Sequence, residues 1–365
     1  MSNFFQEDMR SALDAKYEAQ KIAFAPYIFH NALTLRNLGV LKVLFEADSS
    51  GLSIPQIADK LHISKYGLEV LLEFGLSTEV VKRCGDIDKK MYCLGKIGYF
   101  LLHDKMTNVN MNFMNDVCYA GAAHLEESIR SGTPEGLKEL GEWPTIYEGL
   151  SQLPPPSRKS WFDFDHYYSD NSFPDAIPIV FKNKVKKLMD IGGNTAKWAM
   201  ACADYDKNIK ITIVDLPGQT AIAGKIIAER SLENRIDTWP QNVLDPTKYF
   251  PTGYDTVWMS QFLACFPREE IIKMLSRLRL SIDGECNVYI MEPLWDQQKY
   301  QAAIFSLHAT SLYFTTMANG NSKIYSRDEL VQTVEMSGFH LEEEIPELGQ
   351  NDYTLLRFKK ISHDS

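Results

Sequence analysis

From residue 184 onward the sequence alternates between short β-rich runs and helix-like segments, and this alternation restricts the fold more than any other feature. The β-rich runs are KVKKLMDI, KITIVDL, YDTVWMS and CNVYIME, and the segments 219–230 and 268–280 between them have helical character. Strands that alternate with helices form a doubly wound, mostly parallel sheet, because each crossover helix returns the chain to the start of the next strand. The second half of the chain is therefore predicted to be an α/β domain.

The first half of the chain is predicted to be mainly helical. Apolar residues recur at helical spacing in 31–47, and Ser53 followed by Pro55 begins another helix. A third helix follows Ser64, and the runs EVVKR and KMYCL on either side of CGDIDK predict a small β-hairpin. Helix, helix and hairpin in this order are typical of a winged-helix arrangement.

Winged helices often bind DNA, but the charge of this one disfavours that function. Residues 53–90 carry six basic and six acidic side chains, and the would-be recognition helix sets Lys65 against Glu69 and Glu73. The whole chain has a formal net charge of -10. Because DNA binding depends on neutralising phosphates, we expect no nucleic-acid partner and favour a packing or dimerisation module. The same net charge disfavours an anionic membrane surface.

The length of 365 residues favours two domains, since single cores rarely exceed about 250–300 residues. The six cysteines are scattered without a C-x-x-C pair, so we expect neither a metal site nor a disulfide framework, and a reducing cytoplasm fits best. The start, MSNFFQEDMR, lacks the pattern of a signal peptide. No apolar run approaches the ~18 residues that a membrane helix needs.

The stretch LMDIGGNTAKWA ends the first predicted strand of the sheet and has the form of a cofactor loop. Asp190 and Asp215 lie at the tips of the first two strands, where ligands of open parallel sheets bind. The order Gly192, Gly193, Asn194 matches neither a P-loop nor G-x-G-x-x-G. A pyrophosphate needs a close approach to the backbone, and the side chains that stand here in place of further glycines would obstruct it. S-adenosylmethionine (SAM) has no phosphate and carries two positive groups, so it suits an acidic tip with two glycines; an ordinary turn is the alternative.

The second half of the chain contains, in order, LMDIGGNTAKWA, ITIVDLPG, YDTVWMSQFLACFPREEIIKMLSRL and NVYIMEPLW, and the segments MYCLGKIGYFLLHD, HLEESIRSGTP and SRDELVQTVEMSGF accompany them. Together these motifs resemble the SAM-dependent O-methyltransferase family, in the branch shared by plant phenolic and bacterial polyketide and hydroxyneurosporene methyltransferases. The resemblance spans nearly the whole chain. It implies a mainly α-helical winged-helix dimerisation domain in 1–105, a helical linker and substrate-pocket segment in 106–180, and a Rossmann-like SAM methyltransferase domain in 181–365.

The resemblance also assigns cofactor contacts. Asp190, Gly192 and Gly193 would line the methionine end of SAM, and Asp215 would bind the ribose hydroxyls. The positions implied around the adenosine are Leu216, Asn242, Val243, Ser260 and Gln261.

The catalytic base of the family has no counterpart here. The family places a histidine in an L-H-D-W segment, and the matching position in LACF is Ala264. Of the two glutamates that orient the histidine, Glu292 matches the first, while the second falls on Ile324. His166 and His308 are the alternative bases, though a lone histidine on an apolar face is more often simply packed. Glu292 is equally interpretable as a structural acid that holds loop amides.

The implied function is that of a homodimeric SAM-dependent methyltransferase of a small, aromatic or polyketide-like hydroxyl or amine acceptor, acting mainly by proximity. Two alternatives remain: a family member that binds SAM without methylating, and a winged-helix transcriptional regulator with a small-molecule sensor domain. The predicted walls of the acceptor pocket are Trp161, Phe164, Tyr167, Tyr168, Trp295, Phe305, Tyr313, Phe314 and Met317.

Overall fold

The computed structural model describes residues 8–85 and 90–361. The chain divides into two compact units, with the boundary between Asn112 and Phe113. Most of the segment 106–180, expected from the sequence as a linker and pocket segment, therefore belongs to the second unit. Each unit has its own buried apolar core.

The first unit is mainly helical, as predicted, with one small hairpin. Its elements in chain order are α1 (Ala12–Ala23), α2 (Ala25–Asn37), α3 (Val40–Glu46), α4 (Ile54–Leu61), α5 (Lys65–Ser77), β1 (Val81–Cys84), β2 (Met91–Leu94), α6 (Lys96–His103) and α7 (Lys105–Phe113).

Local sequence signals explain where these helices begin and end. The helix expected over 31–47 is divided in two, because Gly39 adopts a left-handed conformation with φ of 81° between α2 and α3. A capping box begins α4, with the Gln56 side chain accepting a 2.8 Å hydrogen bond from the Ser53 backbone N–H. The predicted hairpin is confirmed by the antiparallel pairing of β1 and β2. Residues 86–89, in the polar tip of this hairpin, lie outside the described residues. So do residues 1–7 of the segment in which no signal-peptide pattern was found.

The expectation that the chain has no disulfide is wrong. Cys84 and Cys93, nine residues apart, are joined by a disulfide across the hairpin. The strand register pairs Cys84 with Met91 and Cys93 with Lys82, so the bond runs diagonally between the strands. Cysteine spacing alone did not reveal this register. The expectation of a reducing cytoplasm depended on cysteines that do not pair. Because two of them form a disulfide, the cysteines no longer support it.

The second unit contains a seven-stranded sheet. Its strands are β3 (Lys187–Ile191), β4 (Lys210–Asp215), β5 (Ile236–Pro240), β6 (Thr256–Ser260), β7 (Asn287–Glu292), β8 (Phe339–Leu348) and β9 (Tyr353–Lys360). The order is β5-β4-β3-β6-β7-β9-β8. The first five pair in parallel, and β9 pairs antiparallel with both β7 and β8. The predicted doubly wound, mostly parallel sheet is confirmed.

The described part of the second unit also contains nine α-helices. They are α8 (Leu125–Ser131), α9 (Ile146–Gly149), α10 (Pro155–Asp170), α11 (Phe173–Phe181), α12 (Lys197–Tyr205), α13 (Pro217–Glu229), α14 (Arg268–Ser281), α15 (Gln301–Tyr313) and α16 (Arg327–Glu335).

Both faces of the sheet are buried. On one face the ring of Trp198 in α12 stacks on Trp258 in β6, with centroids 3.7 Å apart and planes 6° from parallel. The strand neighbours Val257 and Met259 point to the other face, into the core layer that contains Ile271 of α14. Burial on both faces explains why the inner strands read as continuous apolar runs rather than as alternating ones.

The strand order opens a crevice at the carboxyl ends of the central strands. The chain proceeds from β3 outward through β4 and β5, and then returns to the opposite side of β3 as β6. At such a switch point the loops after neighbouring strands separate and leave room for a ligand. Within the described residues, no helix is long and apolar enough to cross a membrane, and no cluster of histidines, cysteines or acids is arranged to hold a metal ion.

Candidate active site

A cavity of about 380 Å³ lies at the carboxyl ends of the strands of the second unit. Its walls come from the segments after β3, β4, β5, β6 and β7, and from helices α9, α10 and α15. The lining has two chemically distinct parts. We call the acids, amides and glycines at the strand ends, such as Asp190, Gly193 and Asp215, the polar lining. The aromatic lining comprises Trp161, Phe164, Tyr313 and Phe314, and the aliphatic side chain of Leu307 lines the same cavity.

The loop after β3 requires both of its glycines. Gly192 has a φ of 78°, and a Cβ at this position would collide with the ring of Phe262. A Cβ on Gly193 would lie 2.7 Å from the Asp190 Oδ2 and 2.8 Å from a methyl carbon of Ile213. Asn194 also has a positive φ, 46°, a conformation that asparagine adopts more readily than most residues. The loop is therefore compact without the further glycines of a dinucleotide-binding sequence.

Two acids stand at the strand tips, as predicted from the sequence. Asp190 is buried, and burial together with the negative charge of Asp215 raises its pKa to about 8. The carboxylate of Asp215 accepts hydrogen bonds from the backbone N–H of Asn194 at 2.9 Å and of Leu216 at 2.7 Å. Burial still raises the pKa of Asp215 to about 6, against the effect of these two bonds. A cation bound between the acids would favour their ionised forms.

Helix α10 is tied to this loop by two adjacent side chains. Asp165 accepts a hydrogen bond from the Asn194 side-chain amide, with 3.0 Å between Nδ2 and Oδ2. The Nε2 of His166 lies 3.0 Å from the Thr195 Oγ1. Burial, reinforced by the charges of Asp170 and Asp215, raises the pKa of Asp165 to about 7, whereas burial lowers the pKa of His166.

Buried polar atoms without a partner are concentrated in this cavity. Among the described residues, ten carry a buried side-chain nitrogen or oxygen that makes no hydrogen bond, and eight of the ten line the cavity. These eight are Tyr147, Asp190, Asn194, Trp198, Gln219, Gln241, Ser260 and Glu292. Because buried polar groups in native proteins are nearly always paired, this concentration indicates that a polar ligand completes the site.

The turn after β6 carries Ala264 and is held by Glu292. The Oε1 of Glu292 accepts hydrogen bonds from the backbone N–H groups of Phe262 at 2.9 Å and Leu263 at 2.8 Å, and burial raises the pKa of the carboxyl to about 7. This geometry favours the interpretation of Glu292 as a structural acid. Ala264 is buried, belongs to the same apolar cluster as Leu307, and presents only a methyl group to the cavity.

The aromatic lining is rigid and mostly apolar. Trp161 donates a 2.8 Å hydrogen bond from Nε1 to the hydroxyl of Tyr313, which fixes both rings. Phe164 stacks on Phe113, with ring centroids 4.0 Å apart and planes 14° from parallel. Fixed aromatic walls with few polar groups suit a flat acceptor.

The structure brings together all nine residues expected to bind the cofactor. Each lines the cavity: Asp190, Gly192, Gly193, Asp215, Leu216, Asn242, Val243, Ser260 and Gln261. Their contacts with a cofactor remain predictions. The Asn242 side chain accepts a 2.9 Å bond from the Leu244 N–H, and the Gln261 amide donates to the Tyr353 hydroxyl.

Of the expected catalytic residues, Glu292 and His166 line the cavity and His308 does not. His308 is exposed, with its ring centroid 5.1 Å from that of Trp295. Five of the nine expected wall residues line the cavity, and four do not: Tyr167, Trp295, Phe305 and Met317.

Sequence reasoning missed many residues of the lining, among them Tyr147, Asp165, Gln219, Gln241 and Tyr353. For Asp165 a signal existed, since it lies four residues after Trp161 and three before Tyr168, on one face of α10. The others follow from the tertiary fold and have no local pattern.

Comparison with protein families identifies two domains in the chain. Residues 16–89 match the model of a Dimerisation2-like domain, and residues 175–340 match that of an O-methyltransferase domain. Among curated proteins, the chain is 25% identical over 305 residues to an L-tyrosine C(3)-methyltransferase of Streptomyces lavendulae, covering 82% of this chain and 81% of that protein. It is 30% identical over 128 residues to a 3-hydroxy-5-methyl-1-naphthoate 3-O-methyltransferase of Streptomyces sahachiroi, covering 34% and 36% of the two chains.

Solved structures share the fold over nearly the whole chain. A SAM-dependent methyltransferase, SibL, in its apo form has a TM-score of 0.69 at 21% identity, covering 94% of this chain and 98% of its own. The mitomycin 7-O-methyltransferase MmcR has a TM-score of 0.72 at 16% identity, covering 95% and 98%.

Proposed function

The chain belongs to the SAM-dependent O-methyltransferase family, with a Dimerisation2-like domain ahead of its methyltransferase domain, and on this premise we propose that it methylates a small phenolic acceptor. It is a SAM-dependent methyltransferase. SAM supplies a methyl group on a sulfonium, which makes the methyl carbon electrophilic and leaves a neutral thioether after transfer. The observation that carries the proposal is that the polar lining and the aromatic lining share one cavity.

The polar lining fits SAM. Its unpaired buried atoms include carboxylate oxygens of Asp190 and Glu292 and the amide oxygen of Gln219, which are acceptors. SAM offers an ammonium, two ribose hydroxyls and an adenine amine as donors. Asp190 would lie at the methionine end, and Asp215 would bind the ribose through the lone pairs that its backbone bonds leave free. The negative charges of these two acids also stabilise the positive sulfonium group of bound SAM.

The aromatic lining fits a flat ring. Trp161 and Tyr313 hold each other in place, and Phe164 is fixed by stacking, so the acceptor enters a preformed slot. A preformed slot aligns the acceptor with the methyl carbon, and such approximation supplies about 7–11 kcal/mol of the barrier reduction in favourable cases. Ala264 is buried among apolar side chains, so this part of the cavity wall is apolar.

Methylation at a ring carbon is the second candidate. The relative that aligns with 82% of this chain is an L-tyrosine C(3)-methyltransferase. A phenol with its proton removed is nucleophilic at oxygen and at the ring carbons ortho and para to it. The same slot therefore serves either atom, and the orientation of the ring decides which one meets the methyl group.

We also propose that the protein is a homodimer through its first unit. The match to a Dimerisation2-like domain supports this assembly. So do the large apolar side chains of α1 and α2 that the single chain leaves open to solvent, such as Leu13 at 80% and Ile22 at 77% exposure. An absence of nucleic-acid partners and a cytoplasmic location remain predictions.

Calorimetric titration followed by a transfer assay tests the proposed function. SAM and its demethylated product S-adenosylhomocysteine (SAH) are titrated into the protein. The enzyme is then incubated with methyl-labelled SAM and a panel containing L-tyrosine, hydroxynaphthoates, catechols and aromatic amines. We expect binding of both SAM and SAH and transfer of the label to a phenol, with NMR of the product distinguishing O-methyl from C-methyl. Binding without methyl transfer to any compound of the panel would favour the alternative that the protein binds SAM but no longer methylates.

A further inference from the structure

The loss of the family histidine leaves a chemical question at the reacting centre. The methyl group of Ala264 cannot accept the proton that a phenol loses on methylation. The cavity nevertheless contains other titratable groups, and their positions decide which of them can replace the histidine. The groups near the aromatic lining are Tyr147, Asp165, His166, Cys265, Glu292 and Tyr313.

Most of these groups are unsuited to accept a proton at neutral pH. Burial raises the pKa of Cys265 to about 12 and the pKa values of Tyr147 and Tyr313 well above their usual range, so all three stay protonated. Glu292 has one buried, unpaired oxygen, but its other oxygen accepts the two backbone bonds that hold the turn after β6, and protonation of the carboxyl would weaken them. The Nε2 of His166 is engaged by Thr195. Asp165 remains.

Asp165 lies on the face of α10 that forms the cavity wall. Trp161, Asp165 and Tyr168 occupy positions i, i+4 and i+7 of the helix, and all three line the cavity. The Asn194 amide donates a 3.0 Å hydrogen bond to Oδ2, which orients the carboxylate along the cavity wall. The charge of Asp165 also acts on Cys265, which adjoins Ala264, and on Tyr147 and Tyr313.

We propose that the Asp165 carboxylate takes the phenolic proton of the acceptor in place of the absent histidine. This inference rests on the proposed function. Oδ1 removes the proton from the acceptor hydroxyl while an electron pair of the acceptor forms the new bond to the methyl carbon. The carbon–sulfur bond breaks and its electron pair stays on sulfur. For a ring-carbon acceptor, the hydrogen on the attacked carbon leaves afterwards as a proton and restores aromaticity. Asp165 then releases its proton to solvent.

The surroundings of Asp165 suit this role. The charged and titratable groups around it are Asp170 and His166 on α10, Lys197 on α12, Asp215 at the end of β4, Tyr147 on α9, Cys265 after β6, Tyr313 on α15 and Tyr353 on β9. Burial and the two acids raise its pKa to about 7, and a general base is most effective when its pKa lies near the working pH. The sulfonium cation of SAM favours the ionised form, so the carboxylate is available at neutral pH.

The substitution Asp165→Asn tests the proposal, with Asp163→Asn as the matched control. Asparagine keeps an oxygen for the Asn194 amide but accepts no proton. Asp163 is exposed on the same helix, where it pairs with Lys159 outside the cavity lining. Three quantities are measured for the wild type and both variants: SAH affinity by calorimetry, the pH profile of single-turnover transfer to the best phenol of the panel, and the ultraviolet difference spectrum of that phenol bound to the enzyme–SAH complex.

We expect Asp165→Asn to bind SAH within about 3-fold of the wild type and to transfer methyl about 10²- to 10⁴-fold more slowly. The wild-type rate should rise with pH and level off near 7, whereas the rate of the variant should keep rising with the ionisation of the phenol itself. The phenolate band of the bound phenol should appear at higher pH in the wild type than in Asp165→Asn, because the ionised carboxylate stabilises the neutral hydroxyl and repels the phenolate. Asp163→Asn should match the wild type in all three.

The contrary outcomes are distinct. If Asp165→Asn weakens SAH binding more than about tenfold with an unchanged pH profile, the residue is a cofactor ligand and the proposal is overturned. An unchanged transfer rate overturns it as well, while leaving the proposed function intact. If the wild type binds SAH but methylates no phenol, the proposed function is wrong, and this inference, which rests on it, is overturned with it.

Discussion

At the scale of single residues, Asp190 links cofactor binding to protein stability. Its carboxyl is buried, one of its oxygens has no partner among the described residues, and burial with the charge of Asp215 raises its pKa to about 8. An acid with a raised folded-state pKa contributes stability that is fully present below its unfolded pKa and is lost as the pH rises through the folded value. The apoprotein should therefore lose stability between about pH 4 and pH 8.

The substitution Asp190→Asn should remove this effect. We expect the apoprotein of the variant to be more stable than the wild type at pH 8 and similar to it at pH 5, because asparagine has no charge to bury. SAH and SAM should bind more weakly, since the ammonium loses a carboxylate. Urea unfolding at the two pH values and calorimetry measure the two effects.

The control for Asp190 is Asp237, an exposed acid in β5. Asp237→Asn should change neither the pH dependence of unfolding nor SAH affinity. Equal stability of wild type and Asp190→Asn at pH 8 would show that the carboxyl is not held in an unfavourable environment.

At the scale of elements, four of the five inner strands of the sheet could be predicted from the sequence, because they are buried on both faces, whereas the inner strand β9 was missed. The runs that contain β3, β4, β6 and β7 are continuous and apolar, so periodicity found them. The edge strands β5 and β8 are largely exposed and carry polar residues such as Asp237 and Glu344, and no apolar run marks them. The cofactor loop was found because glycines and strand-tip acids are local signals.

The contribution of α10 to the site could not be predicted in the same way. Asp165 and Asn194 are 29 residues apart, and so are His166 and Thr195. Their contacts depend on how the helix packs over the strand ends. The disulfide was missed for a related reason, since hairpin register rather than spacing brings Cys84 to Cys93.

The tie between α10 and the loop should be measurable as a coupling. His166→Gln, Thr195→Val and the double variant form a cycle in which SAH affinity is measured by calorimetry. Each single change should weaken binding, and the double variant should bind more tightly than the sum of the two effects predicts. The expected coupling is about 0.5–1.5 kcal/mol, the range of one hydrogen bond.

Two outcomes bear on this coupling. Strict additivity would show that the 3.0 Å contact between His166 and Thr195 does not support the loop. The exposed ion pair of Arg230 with Asp204 serves as a control, and Asp204→Asn should leave SAH affinity unchanged.

Two glycines of the second unit should respond in opposite ways to alanine. At Gly193 a Cβ would lie 2.7 Å from the Asp190 carboxylate, so Gly193→Ala should lower the melting temperature and weaken SAH binding by tenfold or more. At Gly224, inside α13, a Cβ would have no atom within 4 Å, so Gly224→Ala should stabilise the protein by about 0.5–1 kcal/mol. Thermal unfolding and calorimetry of both variants check this; a harmless Gly193→Ala would mean that the loop can shift.

At the scale of the whole molecule, the proposed dimer explains the composition of the first two helices. None of the residues of α1 is buried in the single chain, and Leu13, Ile22 and Tyr27 of α1 and α2 are 80%, 77% and 71% exposed. A helix with no buried residue gains little from its own chain, because most helical stability comes from packing. A second copy of the first unit would supply that packing.

Replacing Leu13 and Ile22 together by glutamate should therefore convert the protein to a monomer. Two buried apolar side chains contribute about 1.5–3 kcal/mol each, and two charges without partners at an interface add a desolvation penalty. Sedimentation equilibrium should give twice the chain mass for the wild type and a single chain mass for the variant. Leu280→Glu, at a residue 66% exposed in the second unit, is the matched control and should remain dimeric. If the double variant kept the wild-type mass, α1 would lie outside the interface, and a single-chain mass for the wild type would overturn the dimer itself.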